Sequence, residues 1–351
     1  MRVAVAALLI ACRGTSGEPA RPPPPTTDVE RWLAEFPPRC LADAPVELPS
    51  ACPPANDPPG ACIVERVDLV SGLRTDRFIF DRARLVRHEQ ILSSLEQHTR
   101  ILSYDARGRW IRELACGITR AGTPAAVTSW HEPSIVLEPD ETVSATERVY
   151  DGDARRPSLI DHRMVWRRKT GVRTSHKTRC LTFDHDRRQR EYEVWRNSDE
   201  PGQLWMIAEQ YFYERGRLVQ IASRTRQLEA GHFTERMFDT VTFGYDGRGL
   251  RAWVRSSNDV TRYAFDLAGR LIASDGARLA WDGPRIAAIR SMKNQLDRTY
   301  TYEPGGRLAD ARYANGGGYH MRYSATCAPD LAHSDFTPNI DELAYWEGKD
   351  P

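Results

Sequence analysis

A chain of 351 residues, 40% apolar and 28% charged, has the composition of a folded protein and excludes wholesale disorder. A formal net charge of +1 leaves no cation excess to neutralise phosphates, so nucleic acid is excluded as a general partner. The densest basic run, Arg167-Arg168-Lys169, reads as a solvated strand end, and the basic residues are 45 Arg against 4 Lys.

At the N-terminus, Arg2 precedes an apolar run from Val3 to Ala11. It is far shorter than the roughly 20 residues a membrane-spanning helix needs, and it reads as the core of a signal peptide. The last three residues of that run and the cysteine after them, Leu9-Ile10-Ala11-Cys12, resemble a bacterial lipobox. That resemblance implies removal of residues 1–11 and a lipid on the thiol of Cys12. The expected product is an exported envelope protein, held on the outer membrane by its anchor and facing the periplasm or the cell surface.

Residues 12–62 then read as a tether with a cysteine-containing segment. From Arg13 to Thr27 the chain is rich in Gly, Ser, Thr and Pro, with Pro22 to Pro25 consecutive, a composition that stays extended. Asp28 to Phe36 predicts a short helix capped by Asp28, with Val29, Trp32, Leu33 and Phe36 along one face; Pro37 and Pro38 end it. Prolines crowd residues 45–60, which places the start of the main body near Cys62.

Setting Cys12 aside leaves Cys40, Cys52, Cys62, Cys116, Cys180 and Cys327, an even number suited to bridges in an oxidising compartment. Fifteen pairings are open. A local bridge among Cys40, Cys52 and Cys62 is expected, because a proline-rich segment with few apolar residues needs another restraint. No Cys-x-x-Cys and no zinc-finger spacing occurs, so no structural metal and no cofactor are expected.

From residue 63 to residue 327 the chain repeats itself. The unit is an aromatic residue, an acid, two variable residues, Gly, Arg and an aliphatic or aromatic residue. It recurs at Tyr104-Asp105 to Gly108-Arg109, at Phe265-Asp266 to Gly269-Arg270 and at Tyr302-Glu303 to Gly306-Arg307. Variants begin at Phe80, Tyr213 (with Gly216), Tyr245 (with Gly249) and Trp281, and degenerate copies at Tyr150 and Phe183. Alternating apolar residues before each acid predict a strand with one buried face. The acid starts a turn by accepting backbone amides, and glycine supplies the positive φ of a bulged hairpin. The Arg is expected outward and the residue after it inward. Nine such hairpins give on the order of 18 strands, more than an open sheet carries without curling. The fold expected is therefore an all-β antiparallel meander, curled or partly rolled, with its end strands covered by the N-terminal segment and by the tail, residues 328–351.

Repetition of Tyr-Asp-x-x-Gly-Arg-Leu at a step near 20 residues resembles the YD repeats of the Rhs and teneurin-like families. That resemblance covers roughly Phe78 to Tyr323 and implies a large spiral sheet that can close into a shell. Only 24 residues follow Cys327, too few for the toxin domain such shells often hold.

Chemistry-bearing motifs are sparse. The chain has no Gly-x-Ser-x-Gly elbow, phosphate-binding loop or His-Glu-x-x-His helix, so an enzyme is not expected. Asp184-His185-Asp186 and Trp130-His131-Glu132 read as solvated turns or strand ends rather than metal or proton-transfer sites. Trp195, Trp205 and Trp253 are the first candidates for a binding surface. The function expected is a non-enzymatic envelope lipoprotein whose repeat sheet is a scaffold or binding surface. The rivals are a carbohydrate-binding or glycan-acting protein and an accessory partner of an Rhs-type toxin system.

Overall fold

The computed structural model describes residues 27–42, 48–49, 56–92, 95–120, 139–198, 203–229, 232–256, 259–291 and 297–333. Two short helices, Asp28–Glu35 (α1) and Pro38–Leu41 (α2), precede the sheet. Its first ten strands are Cys62–Asp68 (β1), Arg74–Asp81 (β2), Arg84–Ile91 (β3), Glu96–Tyr104 (β4), Trp110–Thr119 (β5), Asp140–Val149 (β6), Leu159–Arg168 (β7), Gly171–Asp184 (β8), Arg187–Asn197 (β9) and Leu204–Glu214 (β10). The second ten are Arg217–Glu229 (β11), His232–Tyr245 (β12), Arg251–Arg255 (β13), Val260–Phe265 (β14), Leu271–Ser274 (β15), Ala277–Asp282 (β16), Arg285–Ser291 (β17), Arg298–Tyr302 (β18), Leu308–Tyr313 (β19) and Gly318–Tyr323 (β20).

Each strand pairs antiparallel with the next, and β1 pairs with both β2 and β20, from Val64↔Tyr323 to Asp68↔Tyr319. The sheet is thus a closed 20-stranded up-and-down barrel, which corrects the expected curled or partly rolled sheet. Closure has a physical cause: an open end strand leaves a row of unpaired backbone groups, and joining the two ends satisfies both rows at once. The end strands therefore cover each other, and neither the N-terminal segment nor the tail is needed for that work.

The expected turns form one rim of the barrel. At Asp105 the carboxylate accepts the backbone N–H groups of Arg107 (3.0 Å) and Arg109 (2.8 Å), while the Gly108 N–H donates to the Asp105 carbonyl. Asp246 does the same for Arg248 and Leu250, and Asp266 accepts from Arg270 N–H. Gly108, Gly216, Gly249, Gly269 and Gly306 all have φ between +80° and +101°, the left-handed region open to glycine at no steric cost. Next to each turn the register slips by one residue beside the aromatic, as at Ser103/Tyr104 and Thr301/Tyr302. Such bulges raise local twist, which bends a sheet toward closure.

The aromatic rings then join one hairpin to the preceding one. The hydroxyl of Tyr104 donates to the Leu85 carbonyl, Tyr245 to Leu218, Tyr302 to Ile286 and Tyr323 to Leu308, all at 2.7–2.8 Å. Tyr213 reaches the Arg188 carbonyl, and the Trp281 indole N–H reaches Leu271. Every acceptor is the residue that follows the turn, so the staple repeats with the sequence. Burial makes the Tyr302 phenol harder to ionise, pushing its pKa up to about 12.

The repeat arginines depart from expectation. Arg84, Arg187, Arg217 and Arg285 do not simply point outward; each guanidinium lies over the ring of the next repeat, with centroid distances of 5.4–5.9 Å to Tyr104, Tyr213, Tyr245 and Tyr302. Each also occupies the space that a Cβ on the next turn glycine would enter. Glycine therefore serves twice, for its φ and for its missing side chain. Leu250 stands where the Tyr245 unit would carry this Arg, and only the Leu250 methyls approach Gly269.

The aromatic-bearing face is the enclosed one. On β16 Ala277 and Leu279 are buried while Arg278 and Ala280 are exposed, and on β20 Met321 is buried beside exposed Arg322. Near the turn rim this inner face forms a continuous apolar core that includes Val64, Phe78, Phe80, Leu279, Tyr300 and Leu308. The tail seals it: Leu331 is buried in the same core, Pro329 abuts Gly305, and His333 packs edge-on against Phe80.

The helices pack outside. A capping box holds α1, with Thr27 rather than Asp28 as the cap and Glu30 returning to the Thr27 N–H. Trp32, Phe36 and Cys40 cover Cys180, Tyr192, Val194 and Met206 on the outer wall. Cys40 is bonded to Cys180 and Cys62 to Cys327, across 140 and 265 residues. Cys116 is disulfide-bonded as well. The bridges thus tie distant segments together, and neither Cys40 nor Cys62 takes part in the expected local bridge. Cys12, Cys52 and the tether up to residue 26 lie outside the described residues.

Candidate functional site

The strands lengthen from β4 to β12, and beyond the apolar core their inner face turns polar. Two cavities adjoin there, of about 520 and 430 Å³, each within the range of small-ligand sites. Trp166 of β7 lines both. In the larger cavity it is joined by Trp195, His162, Arg148, Lys177 and Arg179. His88, His98 and Arg100 line the other.

Every ionisable side chain lining the two cavities is a base. The acids that balance these cations share the inner face and are the less exposed member of each pair: Glu193 against Lys177 at 2.8 Å, Glu191 against Arg179 at 2.5 Å and Glu113 against Arg100 at 2.7 Å. Arg148 stacks 3.3 Å from the centre of the Trp110 ring, and the Lys177 ammonium lies 4.6 Å from that of Trp195, both within cation–π range. Trp195 remains 39% exposed, so the inner wall is open to solvent at this height. His162 accepts or donates at Thr146 Oγ1 over 2.8 Å, and burial holds its pKa below the usual imidazole value.

Two clusters resemble catalytic groups and lack the geometry for it. On the outer wall Asp161, His176 and Thr178 lie in mutual contact, but the carboxylate and the hydroxyl both meet the same ring nitrogen, Nε2. A relay needs the two partners on opposite nitrogens. Inside, Glu191 and Glu209 flank Tyr211, whose hydroxyl donates to Glu209 at 2.7 Å and lies 3.3 Å from Glu191. Burial raises the Glu209 pKa. Paired carboxylates suit glycoside cleavage, yet the Tyr211 hydroxyl fills the gap where the scissile oxygen would stand. Arg188 closes it further, 2.7 Å from Glu191.

The sequence candidates scatter. Trp195 and Trp205 are cross-strand partners on the inner face, whereas Trp253 lies on the outer wall across Gly244. His185 sits fully exposed on a two-residue reversal between β8 and β9. Among the described residues no group of three metal-ligating side chains converges. Trp130-His131-Glu132 lies outside the described residues. Arg167 and Arg168 pair with Glu141 and Asp140 at the end of β7. Sequence reasoning missed Trp166, His162 and Lys177, which only the pairing of β7 with β6 and β8 brings to one face.

The outer wall is charged along the strands. Ion pairs join Arg77 with Glu89 (3.6 Å), Arg87 with Glu89 (2.9 Å), Arg163 with Asp161 (3.3 Å) and Arg112 with Glu147 (3.6 Å). On a lipid-facing barrel each Arg near the midplane would cost about 2–4 kcal/mol. No described helix is long and apolar enough to cross a membrane.

No family model and no curated protein matches the chain. Among solved structures it is similar to a porin-like protein from Bacteroides uniformis ATCC 8492, at 12% identity and a TM-score of 0.30, covering 76% of this chain and 96% of that one. So loose a superposition carries no argument about function.

Proposed function

We propose that this chain is a non-enzymatic lipoprotein of the bacterial cell envelope, in which a water-soluble, YD-type barrel is a binding cup held on a proline-rich tether. The observation that carries this reading is the contrast between the two ends of the inner face. At the turn rim it is packed with apolar rings and sealed by the tail, and farther along it opens into adjoining cavities lined by Trp166 and Trp195. Bonded cysteines suit an oxidising compartment, and the lipobox-like Leu9 to Cys12 supplies the anchor.

Two measurements test it. Iodide is expected to quench the emission that is lost on Trp195→Phe, and to do so more strongly at low salt, because the surrounding cations concentrate anions. A Trp195 component out of reach of iodide would remove the cup. For the tether, a palmitate analogue fed to cells is expected to label the wild type and not Cys12→Ala; equal labelling of both would remove the anchor.

A further inference from the structure

The geometry points to an acidic oligosaccharide, a short linear chain of carboxylate-bearing sugar rings, as the ligand of the inner cavities. This inference rests on the binding-cup reading and adds the class of guest. Three observations select it. The cavities adjoin through Trp166, so the site is elongated and suits a chain of rings rather than one compact molecule. Its apolar surface comes from Trp166 and Trp195 together with Ile160 and Met164, and hydroxyls and bases such as Thr146, Ser175 and His162 line it beside them. A ring with an apolar C–H face and a hydroxyl-bearing edge satisfies both kinds of surface together.

Charge then selects among sugars. The ionisable groups lining the cavities are all bases, and in each pair with an inner-face acid the base is the more exposed member. A carboxylate entering above Lys177 would meet an ammonium already held 4.6 Å from the Trp195 ring. It would share that ammonium with Glu193, 2.8 Å away and the less exposed of the two. Stacking on Trp195 and pairing with Lys177 are therefore available to one sugar unit at one place, and a charge-assisted hydrogen bond is about twice as strong as a neutral one.

The test is titration calorimetry of the full-length protein with a galacturonate tetramer and with a galactose tetramer as its neutral counterpart. The acidic tetramer is expected to bind at least about tenfold more tightly, with an affinity that falls as salt rises. Trp195→Phe and Lys177→Gln are each expected to weaken it by about tenfold, while Trp253→Phe, on the outer wall, leaves it unchanged. Near-ultraviolet circular dichroism identical to wild type shows that the variants keep their packing. Equal binding of the two tetramers overturns the acidic preference and leaves the cup standing. Binding of neither, with Trp195 still quenched by iodide, overturns the saccharide while sparing the cup. Binding that survives both inner-face substitutions places the site elsewhere and overturns the assignment.

Discussion

Replacing Cys62 and Cys327 together by Ser is expected to lower stability by about 2–5 kcal/mol. The bridge joins residues 265 apart in sequence and so constrains a very long loop of the unfolded chain. In the folded state it lies at the seam where the barrel closes. There β1 meets β20 through five residue pairs, a ladder between strands at opposite ends of the chain in a meander whose other ladders join consecutive strands. The backbone N–H of Ser324 donates to the Ile63 carbonyl, and the Thr326 hydroxyl to that of Ala61, so the bridge also fixes the segment that carries the tail onto the rim. Hydrogen exchange read by mass spectrometry should therefore quicken first in β1, β20 and residues 324–333, with β10 to β12 unchanged. Removal of Cys40–Cys180 by the same substitution serves as the comparison, since it frees the outer helices and leaves the seam paired. Exchange that quickens evenly over all strands in the Cys62/Cys327 variant would refute a local role at the seam.

Much of this architecture was legible because its causes are local. Tyr104, Tyr245 and Tyr302 announce a strand end through alternation, and the acid and glycine after each announce the reversal, all within seven residues. Closure was not legible in that way. Val64 and Tyr323 are far apart in sequence, and β1 carries no repeat aromatic to mark it as the partner of β20; the only local hint was that Cys62 and Cys327 bracket the repeats. The cavity escaped for another reason. On β7 both faces carry polar residues, Asp161 and Arg163 outside and His162 inside, so alternation cannot say which face is enclosed. Only the register with β6 and β8 places His162 and Trp166 on the same side as Lys177 and Trp195. The arginine of the repeat was misjudged because a bulge follows it, and a bulge re-aims the side chains beside it.

That misjudged arginine leads to the sharpest comparison the repeat allows. Gly108 and Gly269 occupy the same turn position with φ of +81° and +80°, so alanine at either should lose the same backbone term, about 1–2 kcal/mol. Their surroundings differ. A Cβ at 108 would collide with the guanidinium of Arg84, whereas at 269 the nearest groups are the Leu250 methyls at 3.9–4.0 Å. Gly108→Ala must therefore also lift Arg84 from the face of Tyr104, forfeiting a cation–π contact of about 0.5–1 kcal/mol at an exposed site. We expect Gly108→Ala to be the more damaging by about that amount in urea unfolding. In an Arg84→Ala background the difference should vanish, because the added methyl then meets no guanidinium. If Gly108→Ala and Gly269→Ala cost the same with Arg84 in place, the arginine yields freely, and the glycine is there for its φ alone. A difference that persists without Arg84 would trace to the turn backbone and break the proposed link between one repeat and the next.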